Sequence, residues 1–89
     1  MLNSKTHLAT IGILIKDRVT QAPNINSILT KNSNLILART GLNLQPKCIE
    51  GCTAVITLIC QGSSKELNLF NEKINNLYGI VAKINFLTK

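Results

Sequence analysis

A length of 89 residues, with 45% hydrophobic and 16% charged side chains, suits one small domain with a modest core and excludes a disordered chain. The longest apolar runs, such as Ile13-Leu14-Ile15, are too short to cross a bilayer, and residues 1–6 lack the charged-then-apolar layout of a secretory leader; a cytoplasmic protein with no membrane partner is expected. The net charge of +6 comes mostly from lysines spread almost evenly between Lys5 and Lys89, a layout that solvates a surface and argues against direct nucleic-acid binding.

The first element, His7 to Lys16 (HLATIGILIK), is rich in β-branched residues and ends at Asp17-Arg18, so it reads as a strand. Ala9, Ile11, Ile13 and Ile15 lie on one face, and Leu8, Gly12 and Leu14 on the other. Apolar residues on both sides place it at the centre of a sheet. Gly12 in mid-strand marks a bulge or the close approach of another backbone. Asp17 to Asn24 reads as a loop, and Pro23 fits the first turn of a helix, where its missing N–H costs nothing. Ile25, Ile28 and Leu29 give that helix a short apolar stripe, and Asn32-Ser33-Asn34 ends it.

Leu35 to Leu44 is the second strand, Gln45 to Gly51 a loop, and Cys52 to Gln61 the third strand. The second helix is the best marked. Ser63 with Glu66 spells a capping box. Leu67, Phe70, Ile74 and Leu77 follow at core-facing spacing. Gly79 is placed to end the helix in a left-handed cap. Ile80 to Leu87 alternates cleanly as the fourth strand.

The order strand, helix, strand, strand, helix, strand is the βαββαβ unit of the ferredoxin-like superfold. The expected class is α+β: a four-stranded antiparallel sheet with two helices on one face, forming a single domain over residues 1–89 with an ordered core of about 7–88. The second face of the sheet is not polar, since strand one keeps apolar residues on both sides and strand three has Val55 and Ile59 opposite Ala54, Ile56 and Leu58. Leaving that face bare would expose an apolar patch of a kind monomers avoid. A homo-oligomer, a dimer or a dimer-based tetramer, is therefore expected.

The inventory for catalysis is thin. His7 stands alone at the start of a strand, and the four carboxylates, Asp17, Glu50, Glu66 and Glu72, form no pair spaced for acid/base work. The five glycines are isolated, so there is no phosphate loop. No catalytic residue and no cofactor is assigned. Cys48 and Cys52 form a CxxxC that could hold a metal or cluster only across a dimer. With no histidine beside them, they are expected to be reduced and metal-free. Cys60, on an apolar strand, behaves as a small hydrophobe. Aromatics for base stacking are missing from the central strands, which excludes sheet-face RNA binding.

The better candidate site is the Asp17–Asn24 segment, which leads from a central strand into a helix N-terminus. Free N–H groups there favour anions, and Arg18 can grip a carboxylate with two prongs. Asp17, Arg18 and Asn24, with Arg39 from strand two, are the expected ligand-binding residues, at a junction with a neighbouring subunit. The expected ligand is a small anion or zwitterion. The reading is a non-catalytic sensor. The alternatives are a metal or redox-cluster carrier using Cys48 and Cys52, and a purely structural assembly protein.

Four segments carry a family resemblance: Ala9 to Ile15 followed by Asp17-Arg18, then Ile36 to Leu42 with Arg39-Thr40-Gly41, then Val55 to Ser63 with Gly62-Ser63, and Leu77 to Lys83. Together they resemble the small regulators associated with iron-only hydrogenase systems. These are stand-alone ACT-like domains related to the C-terminal domain of the nickel-responsive repressor. The resemblance spans about residues 8–88. It implies an ACT-like sheet, a homo-oligomer and a regulatory role in anaerobic bacterial metal-enzyme systems. Two departures limit what it implies. Strand two has Arg39 and Gly41 where the nickel repressor has histidines, so nickel sensing does not transfer. The segment Val19 to Asn24 also lacks the glycine that amino-acid-binding ACT domains carry after strand one.

Overall fold

The computed structural model describes residues 6–43 and 52–88. Its elements are β1 (His7–Ile15), α1 (Arg18–Lys31), a 3₁₀ turn (Ser33–Leu35), β2 (Ile36–Asn43), β3 (Ala54–Gly62), α2 (Ser64–Asn75) and β4 (Ile80–Phe86). The strands form one sheet in the order β2-β3-β1-β4, and every pairing is antiparallel. This is the α+β ferredoxin-like arrangement expected from the segment order. The central position of β1 follows from its apolar residues, because a strand with neighbours on both sides must bury most of its length.

One side of the sheet carries the core. Ala9, Ile11, Ile13 and Ile15 of β1 meet Ala54, Ile56, Leu58 and Cys60 of β3, and all are buried. Ile25 and Leu29 of α1 and Leu67, Phe70 and Ile74 of α2 close over them. The α2 stripe has the i, i+3, i+7 spacing read from the sequence, and each such side chain contributes ~1.5–3 kcal/mol by leaving water.

Three boundaries differ from expectation by two residues or more. Helix α1 starts at Arg18, so Asp17–Asn24 is mostly helix and Pro23 lies inside it. The Asp17 carboxylate drives this early start: Oδ1 accepts from the Val19 N–H (3.1 Å) and Oδ2 from the Thr20 hydroxyl (3.1 Å). Such an N-cap outweighs the hydrogen bond that Pro23 cannot donate. Helix α2 stops at Asn75, short of Gly79. Its last turn tightens as the Leu77 N–H donates to the Ile74 carbonyl (3.1 Å). Gly79 is still left-handed, at φ +74°, but it serves the turn into β4. Strand β3 begins at Ala54, two residues later than read.

The other side of the sheet has no helix. Register places Leu42, Val55, Leu14 and Val81 in one row across all four strands, an apolar band at the end of the sheet nearest the start of α1. The next row is Thr40, Thr57, Gly12 and Lys83. Pairing runs through Gly12 without a shift, so there is no bulge there. A Cβ added at Gly12 would meet nothing within 4 Å.

Candidate functional site

Two cavities flank the first turns of α1. The larger, about 490 Å³, lies between that turn and the Tyr78-Gly79 turn; Lys16, Asp17, Asn24 and Tyr78 are on its walls. Its floor is Gln21, which is 8% exposed. The Gln21 amide joins two elements distant in sequence: Nε2 donates to the Tyr78 carbonyl (2.6 Å), and Oε1 accepts from the Asp17 N–H (3.2 Å). Alongside, the Lys16 N–H donates to the Gly79 carbonyl (3.0 Å). The side chain of Gln21 therefore fixes the entry of α1 to the α2–β4 turn. No periodicity pointed to it, because its role depends on a partner 57 residues away.

The second cavity, about 310 Å³, lies between α1 and the β2 edge, over β3. Arg18, Ala22 and Asn26 project from one face of α1 at i, i+4, i+8 spacing. Arg39 and Gly41 come from β2. They sit on the helix-covered side because they pair with Leu58 and Ile56, which face the core. Arg18 and Arg39 thus line one cavity of a single chain, and among the described lining residues there is no Asp or Glu. Two basic side chains at one cavity give it a local positive charge.

The four residues picked from sequence are therefore divided. Arg18 and Arg39 share the smaller cavity, and Asp17 and Asn24 line the larger one. The expectation of free N–H donors at the helix start fails for the first two residues of α1. The Arg18 N–H donates to the Cys52 carbonyl (2.7 Å) and the Val19 N–H to Asp17, so both are already engaged. Arg18 and Arg39 bring two basic side chains to the wall of the smaller cavity.

The cysteine reading is also corrected. Cys52 is disulfide-bonded, not a free thiol, while Cys60 is free and buried; Cys48 lies outside the described residues. Cys52 is 1% exposed at the foot of β3, where a sulfur held in a disulfide carries no ionisable proton to desolvate. Burial pushes the Cys60 thiol up to about 11. Among the described residues no group of three or more His, Cys, Asp or Glu could hold a metal ion. His7 packs edge-on against Phe86, with ring centroids 5.9 Å apart. Among the described residues no helix is long and apolar enough to cross a membrane.

Residues 7–84 match the family model described as TM1266-like, iron-only hydrogenase system regulator. No curated protein matches the sequence. Among solved structures, the chain is similar to the uncharacterized protein TM1266 from Thermotoga maritima, with a TM-score of 0.84 and 20% identity over 94% of this chain and 100% of that one. It is similar to the ACT domain of GTP pyrophosphokinase from Chlorobium tepidum, with a TM-score of 0.69 and 15% identity over 94% and 89% of the two chains. It is also similar to CPII, a nitrogen regulatory PII-like protein from Thiomonas intermedia K12 bound to ADP, AMP and bicarbonate. There the TM-score is 0.56 and the identity 14%, over 96% of both chains. At these identities the likeness is one of fold.

Proposed function

The chain belongs to the TM1266-like family of iron-only hydrogenase system regulators, and we propose that it acts there as a non-catalytic sensor of a small anion. The site is the cavity shared by Arg18 and Arg39. The observation that carries this reading is that the two arginines, on different elements, line one pocket of a single chain. A guanidinium pair favours a carboxylate, bicarbonate or phosphate group, which accepts forked hydrogen bonds. The bicarbonate bound by the PII-like protein CPII, which shares this fold, supports that ligand class. Asp17 acts by capping α1 and so holding Arg18 in place, and Asn24 borders the neighbouring cavity. The disulfide at Cys52 argues against the rival metal or cluster carrier, which needs thiolates.

The protein is a cytoplasmic bacterial homo-oligomer in this reading, and a second copy covers the helix-free face of the sheet. The apolar row Leu42, Val55, Leu14 and Val81 supports this. So does Gly12, a strand glycine for which the protomer supplies no steric reason.

The test is thermal unfolding with bicarbonate, phosphate and succinate at constant ionic strength. An anion at a hundred times its Kd stabilises the folded state by ~2.7 kcal/mol. Arg18→Ala and Arg39→Ala should each weaken binding ~10–100-fold, the loss of one charge-assisted contact of ~1.5–3 kcal/mol. If no anion raises the midpoint, or both variants respond like wild type, the assignment is wrong.

A further inference from the structure

The cavity of about 490 Å³ beside the Tyr78-Gly79 turn has no part in the anion reading, and it shares no lining residue with the arginine cavity. Its size is that of a small-molecule site, about 300–1,000 Å³. Its walls are tied to each other before any ligand arrives. Gln21, the buried floor, bonds to the Asp17 N–H on one wall and the Tyr78 carbonyl on the other, and the Lys16 N–H donates to the Gly79 carbonyl (3.0 Å). Gly79 permits this closure, because a Cβ at its φ of +74° would overlap the Gln21 amide. A ligand therefore meets walls whose ordering was completed on folding, which lowers the entropy lost on binding.

Tyr78 says what kind of ligand the cavity suits. The residue is 93% exposed, and among the described residues no hydrogen bond or ring contact engages its side chain. An aromatic face left in water beside a cavity is a platform on which a flat ring can stack. Lys16 brings an ammonium to the same cavity, and an ammonium is a point-charge partner for phosphate. The Asp17 carboxylate gives two of its about four acceptor sites to the Val19 N–H and the Thr20 hydroxyl, and the rest remain for sugar hydroxyls. Asn24 adds an amide that both donates and accepts. A flat ring, hydroxyls and a phosphate occur together in a nucleotide. Lys16 and Asp17 offset each other's charge, so an anion without a ring gains little here.

We infer that this cavity binds a single nucleoside 5′-monophosphate, with the base stacked on Tyr78, the ribose hydroxyls donating to Asp17 and the phosphate facing Lys16. Stacking tolerates every base, so the site selects the nucleotide class and not one member of it. The ligand bridges the start of α1 and the α2–β4 turn, the two elements that Gln21 already joins. This inference is independent of whether the arginine cavity takes an anion.

Tyr78 is the only tyrosine and the chain has no tryptophan, so its ring protons give an unambiguous NMR signal. Titration of the full chain with AMP should move those signals upfield, as ring stacking does, and should shift the Thr20 and Gly79 amides with them. Adenosine, which lacks the phosphate, should bind roughly 10-fold more weakly, and Lys16→Ala should bring AMP down to the level of adenosine. Ribose 5-phosphate should leave the ring signals in place. Tyr78→Leu alters an exposed side chain, so the fold survives it; read from the amide shifts, it should weaken AMP roughly 10–100-fold. Succinate at constant ionic strength should not displace AMP. Unmoved Tyr78 signals at millimolar AMP, or equal AMP binding by Tyr78→Leu, overturn the inference. Displacement of AMP by succinate puts the nucleotide in the arginine cavity and overturns the placement. An adenosine tetraribonucleotide should bind no more tightly than AMP, because one ring and one ammonium serve a single nucleotide; much tighter binding overturns the mononucleotide in favour of a strand.

Discussion

Replacing Gly79 by alanine tests whether Gln21 holds the start of α1 to the α2–β4 turn. Gly79 sits at φ +74°, where an L residue is strained by ~1–2 kcal/mol. A Cβ there would also overlap the Gln21 amide, lying 2.8 Å from Cδ. The amide must leave and give up both its bonds, to the Tyr78 carbonyl and the Asp17 N–H. Each is worth ~0.5–1.5 kcal/mol net. The stiffer unfolded chain of alanine returns ~0.4–1 kcal/mol. The balance is a loss of about 1–4.5 kcal/mol, read as a lower urea midpoint with unchanged slope. The cycle with Gln21→Ala separates the parts. That change alone removes the same two bonds, which cannot be lost twice, so the double variant should be more stable than the sum of singles by ~1–3 kcal/mol. Gly79→Ala made on Gln21→Ala should still cost up to ~1.5 kcal/mol, the backbone strain less the gain from the stiffer unfolded chain. A Gly79→Ala loss under ~1 kcal/mol, or additivity within ~0.3 kcal/mol, would refute the reasoning.

Ser63→Ala removes the acceptor for the Glu66 N–H (3.1 Å) and should cost ~1 kcal/mol in urea unfolding. The Ser63 N–H and hydroxyl hold the Glu66 carboxyl below its usual range, so wild type should lose that contribution as pH falls through the carboxylate region, with Ser63→Ala showing a smaller acid loss. The Cys60 thiol, raised from 9.0 to about 11 by burial, favours the folded state while protonated; that contribution is full below pH 9 and declines as pH rises towards about 11, a decline that Cys60→Ala should lack. In native protein Cys60 should also resist alkylation that it accepts in urea, as mass spectrometry would show. Leu14→Asp, which puts a charge into the apolar row of the bare face, should halve the assembly mass in light scattering; an unchanged mass would discard that face as an interface.

Much of the fold is legible in the chain because it rests on periodicity and local chemistry. The alternation of Ala9, Ile11, Ile13 and Ile15 marked a buried strand face before any partner was known. Ser63 and Glu66 marked the start of α2, and the order of segments implied the sheet. The start of α1 was missed because Pro23 is a strong local signal, while the Asp17 cap gains its weight from what it anchors: an Arg18 N–H bonded to Cys52 and a Gln21 reaching Tyr78. Arg18 and Arg39 could be named from sequence as anion ligands by residue type alone. That they share a cavity, and that Asp17 and Asn24 line another, was decided by tertiary structure. Helix α1 lies between the two cavities: Arg18, Ala22 and Asn26 border the one shared with β2, while Thr20 and Asn24 border the one beside the Tyr78-Gly79 turn. Asn75 carries the same lesson. It is the last residue of α2, and its amide donates to the Ala82 carbonyl and accepts from the Ala82 N–H (2.7 Å each) because packing of α2 sets it beside β4. Local energies read over a few residues thus specify the elements, whereas side chains that join elements take their roles from long-range geometry, which only the folded chain supplies.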